Sequence, residues 1–368
     1  MAHTKDQYLA LTLEKRRRYM KSGRPERNIS IKCSLLNCAL VVLLLGTLLP
    51  HVYAGPPQSL KISHQFPGGT ITEGDFRDRL CRMFAAEIEK RTQGALKGTV
   101  YPGSSLMKTN AQFSAIRKGA LDMTLLPLAY AGGEVPEVNI GLMPGVVTSY
   151  EQGLSWKTAD VGKFFSQILY EKGVMIVCWI WQAGGVAGRS KAIIGPDDAK
   201  GLKIRGGSRE MDMVLKATGA SVMSLPSSEI YQAMQTGALD AAMTSSTSLI
   251  SFRLEEVAKH LTTGRGKAYW FMFEPLLISR KVFEAMPKDV QETIMAVGAE
   301  LEKFAMDAAK EDDQAVGELY KKRGAEVHDL SAEVVKKWQD IARETSWKDF
   351  AGKNENCTRL IKLLEKTL

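Results

Sequence analysis

The 368-residue sequence has few of the residues that build metal sites and disulfide frameworks, with five cysteines and five histidines. Only Cys81, Cys178 and Cys357 lie beyond residue 54; they have no C-x-x-C spacing, and an odd number leaves at least one unpaired. The histidines are scattered. The sequence therefore predicts no metal site, no cofactor and no disulfide framework. Cys178 lies in an apolar run and is predicted to be a buried core residue.

The sequence also lacks the short motifs that mark common enzyme sites. It contains no H-E-x-x-H, no G-x-S-x-G and no phosphate-binding P-loop, and Gly264-Arg265-Gly266 lacks the third glycine of a dinucleotide motif. The hydroxyl-rich run 244–248 has no base beside it in the sequence, so nucleophilic catalysis has no support. We therefore predict that the protein is not an enzyme.

An excess of positive charge is present, but it is confined to the amino terminus. The net charge is +8 and the pI about 9.1, yet residues 1–54 alone hold nine Lys/Arg and three Asp/Glu. The remainder of the chain is close to neutral, and so the sequence predicts no nucleic-acid partner.

Residues 1–54 have the order of a secretory signal. Basic residues up to Lys32 precede an apolar run from Leu35 to Leu49, and Val52-Tyr53-Ala54 is a small-x-small cleavage site. The apolar run is shorter than the roughly 20 residues that a membrane-spanning helix needs. We predict a signal peptide and leader over 1–54, cleaved after Ala54. An uncleaved membrane anchor and a start at Met20 are the alternatives.

Residues 200–249 alternate between strands and helices. The predicted strands are 201–205, 221–225 and 238–243, and the predicted helices between them are 208–218 and 226–235. This order implies a parallel sheet, whose carboxyl ends meet at one edge. Arg205 and Thr244 follow two of these strands, so they are expected at one crevice, where open α/β sheets bind ligands. Asp240 is predicted to orient a loop.

Residues 60–126 repeat the same order. The predicted strands are 60–66, 98–102 and 121–126, and both repeats place Gly-Ala-Leu-Asp before the third strand, at 119–122 and 237–240. Two lobes of related build that face a common cleft are the simplest architecture. Gln65 ends the first strand and Leu128 follows the third, so both are expected to line the cleft. His64 beside them is expected to be a structural hydrogen-bonding residue.

The rest of the chain is expected to connect the lobes. A strand over 174–181 ends at Trp181-Gln182, followed by a glycine hinge at 183–185, and the aromatic strand 269–273 returns the chain to the first lobe. A helix from Pro287 to Lys322 would be roughly 50 Å long at about 1.5 Å per residue, long enough to serve both lobes. Apolar residues from Val334 to Leu363 predict further helices to the end of the chain, and the family resemblance given below implies that they pack on the second lobe.

Several of these segments resemble one known family. They are GLKIR at 201–205, LPSSEIYQAMQTGALDA at 225–241, QFPGGT at 65–70, YPGSSL at 101–106, IRKGALDMTLL at 116–126 and the helix after MPKDVQ at 286–291. In this order and spacing they are similar to the solute-binding subunit of tripartite ATP-independent periplasmic (TRAP) transporters, the DctP-like family. The resemblance covers roughly residues 60–343.

The resemblance implies fold, location and partners. The implied fold is α/β and two-lobed, a periplasmic-binding-protein fold with a ligand cleft between the lobes and a long helix spanning both. We expect the first lobe to comprise 55–182 plus 270–310, and the second 183–269 plus 311–368. The implied function is to capture an organic acid in the periplasm and deliver it to the integral membrane subunits of a TRAP-type secondary transporter. A ligand-sensing subunit for a signalling receptor, or a periplasmic enzyme acting on a small acid, is the alternative.

The resemblance also assigns a binding residue. Arg205 matches the arginine that pairs with the substrate carboxylate, for which a planar guanidinium fork is well suited. Where sialic-acid-binding members carry a second arginine and an asparagine, this chain has Gly185 and Thr244. A less charged pocket for a smaller or partly apolar monocarboxylate is therefore expected. The predicted ligand-binding residues are Arg205, Trp181, Gln182, Thr244, Ser245, Trp270, Gln65 and Leu128.

Overall fold

The structure is a computed structural model that describes residues 58–265 and 268–366. Residues 55–368 form one compact unit. The predicted signal peptide and its cleavage site lie outside the described residues. Within 58–265 and 268–366, no helix combines the length and the apolar character that crossing a membrane requires.

Twelve strands occur in the described residues: β1 (Gln58–His64), β2 (Leu96–Tyr101), β3 (Met123–Leu125), β4 (Val174–Cys178), β5 (Trp181–Gly188), β6 (Lys203–Arg205), β7 (Ser221–Val222), β8 (Ala241–Ser245), β9 (His260–Thr263), β10 (Phe271–Phe273), β11 (Leu276–Ser279) and β12 (Glu326–Asp329). The α-helices are α1 (Phe76–Arg91), α2 (Thr109–Lys118), α3 (Tyr150–Ser155), α4 (Asp160–Glu171), α5 (Arg209–Ala217), α6 (Ile230–Gln235), α7 (Ser246–Ser251), α8 (Arg280–Glu284), α9 (Lys288–Lys322), α10 (Ala332–Ala342), α11 (Lys348–Ala351) and α12 (Glu355–Leu364), with a π turn over Arg343–Trp347.

The strands form two sheets, which define two lobes. Lobe I is built on a five-stranded sheet in the order β2-β1-β3-β11-β4. Lobe II is built on a seven-stranded sheet in the order β12-β9-β5-β8-β6-β7, with β10 paired to β5. As expected from the repeated strand and helix order, β1 is parallel to β2 and β3, and β6 is parallel to β7 and β8. The two-lobed α/β prediction is confirmed.

The two Gly-Ala-Leu-Asp segments have the same structure in the two lobes. Gly119 and Gly237 end helices in the left-handed region, with φ of 72° and 77°. Asp122 and Asp240 each accept a hydrogen bond through Oδ2 at 2.8 Å, from the backbone N–H of Lys61 and of Lys203 respectively. Each carboxylate thereby connects the turn before the third strand of its repeat to the first strand of that repeat, β1 or β6. The predicted loop-orienting role of Asp240 is confirmed.

The apolar run 174–181 is not one strand, contrary to the prediction. It divides into β4, which lies in the sheet of lobe I, and β5, which starts at Trp181 in the sheet of lobe II. Trp181 and Gln182 therefore begin a strand instead of ending one. Gly184 and Gly185 lie inside β5 and pair with β8. A run buried throughout carries no pattern that marks where a chain leaves one sheet for another.

Two other segments, the end of β8 and the aromatic strand, also differ from the prediction. Thr244 and Ser245 are the last residues of β8 and lead directly into α7, instead of forming a loop. The aromatic strand, β10, pairs with β5 in the second sheet, and the chain returns to lobe I only at β11. The limits of the two lobes along the chain stay a prediction.

The helix α9 is 35 residues long and joins the two lobes as expected. It packs against α1 and β4 on one side and against α7, β5 and β12 on the other. The carboxyl-terminal helices are shared as well, because α10 and the π turn pack on α5 whereas α12 packs on α4 of lobe I. Their assignment to the second lobe stays a prediction.

The three cysteines of the described residues are free and buried. Cys178 is fully buried in the core, as predicted.

Candidate functional site

The guanidinium of Arg205 is held by neutral oxygens. It is 3% exposed and lies at the carboxyl end of β6. Nε donates to the carbonyl of Leu225 at 3.1 Å, Nη1 to the carbonyl of Met243 at 2.6 Å, and Nη2 to Tyr130 Oη at 2.8 Å. No carboxylate of the described residues forms an ion pair with it. Asp212 is a nearby carboxyl: burial raises its pKa, and the charge of Arg205 opposes that rise. A buried cation with fixed orientation and no carboxylate within ion-pair distance in 58–265 or 268–366 is suited to an anionic ligand.

Two neighbours hold Arg205 in place. Tyr130 Oη also accepts from the backbone N–H of Ser227 at 3.0 Å, which fixes the phenol that receives Nη2. Gly207, at a φ of 95°, lies over the guanidinium, where an added Cβ would be 2.6 Å from Nη1. The glycine is required both for its left-handed backbone and for this close approach.

A cavity of about 200 Å³ is bounded by both lobes. Its lining includes Tyr130, Leu225 and Gly207, which contact Arg205, but not Arg205 itself or any other predicted ligand-binding residue. Asn110 and residues 129–130 line it from lobe I, and residues 207–209 and 224–226 line it from lobe II. It lies where the chain leaves β6, at the carboxyl ends of the parallel strands. This is the predicted position of the cleft.

Side chains from the two lobes meet across the cleft. Tyr130 bonds to Arg205 as above, Ser208 Oγ donates to the carbonyl of Leu142 at 3.0 Å, and Ser228 Oγ donates to Gln65 Oε1 at 3.5 Å. Gln65 is 2% exposed, and its Nε2 has no hydrogen-bond partner in the described part of the chain. Gln65 therefore has a donor without a partner among the described residues, and its ligand-binding role stays a prediction.

The end of β8 lies between two buried arginines. The carbonyl of Met243 accepts from Arg205, and two residues later Ser245 Oγ accepts from Arg77 Nη1 at 3.5 Å. Thr244 stands between them at 2% exposure, and its Oγ1 is unpartnered among residues 58–265 and 268–366. Thr244 is thus brought next to the Arg205 group as predicted, with an unused hydroxyl, whereas Ser245 is occupied by internal hydrogen bonds.

Arg77 is the centre of a second polar cluster. It is fully buried, pairs with Asp75 at 2.6 Å and with Glu274 at 3.0 Å, and lies over the Phe66 ring with its Cζ 3.6 Å from the centroid. Its Nη1 also donates to Ser248 Oγ at 3.1 Å. Because Asp75 precedes α1 and Ser248 lies in α7, the cluster joins lobe I to lobe II.

Gln182 belongs to this second cluster. Its Nε2 donates to Glu274 Oε2, and its own Oε1 has no partner among the described residues. Burial raises the pKa of Glu274, and the charge of Arg77 opposes that rise. Gln182 was predicted to touch ligand, and the structure places it against a carboxylate that it helps to satisfy.

The remaining three predicted residues are apolar and buried, and none of them lines the cavity. Trp181 packs edge-on to Trp156 at 5.2 Å between ring centroids and at a tilt to Phe273 at 4.8 Å, so its ring belongs to an aromatic cluster. Trp270 lies over Gly184 at the β5–β8 pair, where an added Cβ would overlap its ring. Leu128 is fully buried in the 3-10 turn that also carries Tyr130.

Sequence reasoning missed the role of Arg77 and Glu274. A signal for Arg77 was present, because the positions 77, 81, 84 and 88 share one face of a helix and the other three are apolar. An arginine on an otherwise apolar helical face has to be buried and paired. Glu274 had no such signal, since it lies between the short strands β10 and β11.

A further buried carboxylate lies five positions after Arg205 in the sequence. Glu210, in the first turn of α5, is fully buried, and burial raises its pKa to about 7 despite Arg209 Nη1 at 3.4 Å. The folded protein therefore binds more protons than the unfolded chain between the ordinary pKa of 4.5 and about 7, so stability falls as pH rises through this window.

Glu210→Gln is expected to remove this pH dependence. A one-unit pKa shift corresponds to about 1.36 kcal/mol, so the wild type should lose on the order of 2–3 kcal/mol between pH 4.5 and 8 that the variant retains. Urea unfolding at several pH values measures this. Parallel curves for the wild type and the variant would contradict the assignment.

Known proteins are similar to this chain over most of its length. The family model of bacterial extracellular solute-binding protein, family 7 (DctP), matches residues 70–353. A solute-binding protein of Albidiferax ferrireducens is 68% identical over 310 residues, which cover 84% of this chain and 92% of the relative. The C4-dicarboxylate-binding periplasmic protein DctP of Rhodobacter capsulatus is 28% identical over 262 residues, which cover 70% of this chain and 78% of the relative.

A solved structure agrees in fold and sequence. The crystal structure of a TRAP periplasmic solute-binding protein from Rhodoferax ferrireducens, with bound malonate, superimposes with a TM-score of 0.83 at 68% identity, over 84% of this chain and 98% of that one. The family match spans most of the chain, including the second strand and helix repeat, the first repeat without its first strand, Arg205 and α9. The chain belongs to the DctP family of TRAP periplasmic solute-binding proteins, a family of binding proteins and not of enzymes.

Proposed function

We propose that the protein captures a small organic acid in the periplasm and passes it to the integral membrane subunits of a TRAP transporter. The observation that carries the proposal is the guanidinium of Arg205, buried at 3% exposure with no carboxylate of the described residues paired to it. The Rhodoferax relative with bound malonate supports an acid of similar size. Family membership supports the membrane partner.

In the proposed mode of binding, the guanidinium orients the ligand carboxylate. Arg205 has five N–H groups, and the three hydrogen bonds described above leave two of them for the ligand. The unpartnered Thr244 Oγ1 and Gln65 Nε2 add neutral hydrogen-bonding groups from the two lobes. Binding then favours the closed arrangement because only there do groups of both lobes reach the ligand at once.

The predicted apolar residues are proposed as walls of the pocket. Trp181, Trp270 and Leu128 are all buried, and pockets for small ligands are mostly apolar with a few polar groups that set orientation. Gln182 and Ser245 are proposed to act from the second cluster, by holding Glu274 and Arg77 in place behind the end of β8. We further propose that residues 1–54 direct export and are removed after Ala54.

Thermal unfolding of the purified protein with a panel of acids tests the proposal. We expect malonate, or another small mono-, di- or ketocarboxylate, to raise the midpoint by several degrees, because a ligand at 100 times its Kd adds about 2.7 kcal/mol to the stability. The uncharged malonamide serves as the matched control and should cause no shift.

Equal shifts with acids and their amides would argue against a carboxylate site. A bound acid that is chemically converted during incubation, as detected by mass spectrometry, would instead support the alternative of an enzyme acting on a small acid.

A further inference from the structure

Two of the three described histidines converge at a place far from the cleft. His260 is the first residue of β9, and Glu326 and His328 lie in β12, which runs parallel to β9 with Glu326 in register with His260. Side chains two residues apart in a strand share a face, and so do residues in register on adjacent strands. The three side chains therefore share one face of the sheet, although Glu326 lies 66 positions after His260 in the sequence.

The opposite face of β12 confirms this orientation. Val327 belongs to the apolar cluster that also contains Leu261, Val316 and Tyr320, and the last two of these lie on α9. The side of the two strands that carries Leu261 and Val327 therefore packs against the core. Glu326, His328 and His260 are left on the side of the sheet away from α9.

The distances within this group suit a metal ion. His260 Nδ1 lies 3.4 Å and His328 Nε2 lies 3.7 Å from the same oxygen of Glu326, Oε2, and one potential ligand atom from each residue falls within 4.8 Å of the others. Tetrahedral Zn²⁺ with bonds of about 2.0–2.1 Å to nitrogen and oxygen separates its ligand atoms by about 3.4 Å. Small side-chain rotations close the remaining gap.

The two imidazole nitrogens that face Glu326 form no hydrogen bond with other described residues. His260 Nδ1 and His328 Nε2 are each buried as atoms, and neither has a hydrogen-bond partner in the described part of the chain. A buried imidazole nitrogen without a partner is costly, and a metal ion supplies one. The site is partly open, because the side chain of Glu326 is 70% exposed.

We propose that His260, Glu326 and His328 form a binding site for a divalent transition-metal ion, with Zn²⁺ as the best match. Two imidazoles and one carboxylate make a nitrogen–oxygen donor set that Zn²⁺ accepts in tetrahedral geometry, with the fourth position open to solvent. The bound ion clips the edge strand β12 to β9. The site is independent of ligand capture, since β12 stands four strands away from β6, roughly 19 Å at about 4.8 Å per strand.

Zinc titration of the purified protein, free of any histidine tag and stripped with chelator, tests the site. We expect one Zn²⁺ per chain, and a thermal midpoint that rises with free Zn²⁺. Co²⁺ in its place should give the intense visible absorption of a tetrahedral site. Affinity should fall steeply below about pH 6, because protonated imidazole cannot bind metal.

Single-residue variants assign the ligands. His260→Ala and His328→Ala should each weaken Zn²⁺ binding at least roughly 100-fold, because removing a direct ligand costs more than removing an outer-shell partner does. His328→Ala lies on the edge strand and should leave the midpoint in chelator unchanged, which separates loss of metal from loss of fold. Glu292→Gln, an exposed carboxylate on α9, is the matched control and should bind as the wild type does.

Two results would overturn the site. One is the absence of saturable Zn²⁺ binding by the wild type. The other is one-to-one binding that survives in the double variant H260A/H328A. An ion pair between Glu326 and protonated histidines predicts the first of these, with stability that responds to pH but not to metal.

Discussion

Arg205→Ala is expected to lower the affinity for the carboxylate ligand by between about 30-fold and about 4,000-fold. Removing one partner of a buried, charge-assisted pair costs about 2–5 kcal/mol, and every 1.4 kcal/mol is a factor of ten in Kd. The alanine would leave the carbonyls of Leu225 and Met243 without their donor and the ligand carboxylate without the cation proposed to orient it. Isothermal titration with the acid identified by thermal unfolding measures the loss.

Two further variants sharpen the result. Arg205→Lys keeps the charge but loses the planar fork, so it should recover only part of the affinity. Arg323→Ala removes an exposed arginine at the end of α9 and should bind as the wild type does. Unchanged affinity in R205A, with its fold intact by circular dichroism, would show that another group binds the carboxylate.

Replacing Arg77 should cause the largest loss of stability. Arg77→Met keeps much of the side-chain volume but leaves Asp75 and Glu274 buried without their cation, and breaking such a pair costs about 3–5 kcal/mol. Urea unfolding should show this loss even without ligand. The hydrogen bonds that Arg77 makes to Ser245 and Ser248 across the lobes would be lost with it.

The double variant R77M/E274Q tests the cause of that loss. Burial already raises the pKa of Glu274, and without Arg77 its pKa would rise further. The folded variant would then bind a proton that the unfolded chain releases above its ordinary pKa of 4.5, so R77M should lose more stability at pH 8 than at pH 5. E274Q should restore part of the stability and flatten the pH dependence. An equally unstable double variant would point to packing against Phe66 instead.

Local patterns predicted the parts of the fold that are local in origin. The face of α1 with Leu80, Phe84 and Ile88 is fully buried as its spacing requires, and Ser208 caps α5 by accepting from the N–H of Met211 at 3.0 Å. The carboxyl-end rule placed Arg205 and Thr244 at one edge of the sheet. The family resemblance, the α/β two-lobed fold and the function as a solute-binding protein that is not an enzyme are confirmed.

The parts that failed depend on contacts distant in sequence. The division of 174–181 into β4 and β5 depends on pairing partners distant in sequence, β11 for β4 and β8, β9 and β10 for β5, and the uniformly apolar residues give no indication of it. The partners of Arg77 are up to 197 positions away. The absence of a metal site stays a prediction. It was made from histidines scattered in sequence, and strand pairing between β9 and β12 brings two of them, His260 and His328, together.

The three buried cysteines have a practical consequence for following lobe motion. Burial raises the pKa of the Cys81 and Cys178 thiols well above the usual range and that of Cys357 to about 12. The thiolate is the form that reacts with maleimides, so the folded protein offers these reagents almost none. Surface cysteines added one to each lobe could therefore carry a donor and an acceptor dye while the native cysteines stay in place, and energy transfer between the dyes would report the opening and closing of single molecules.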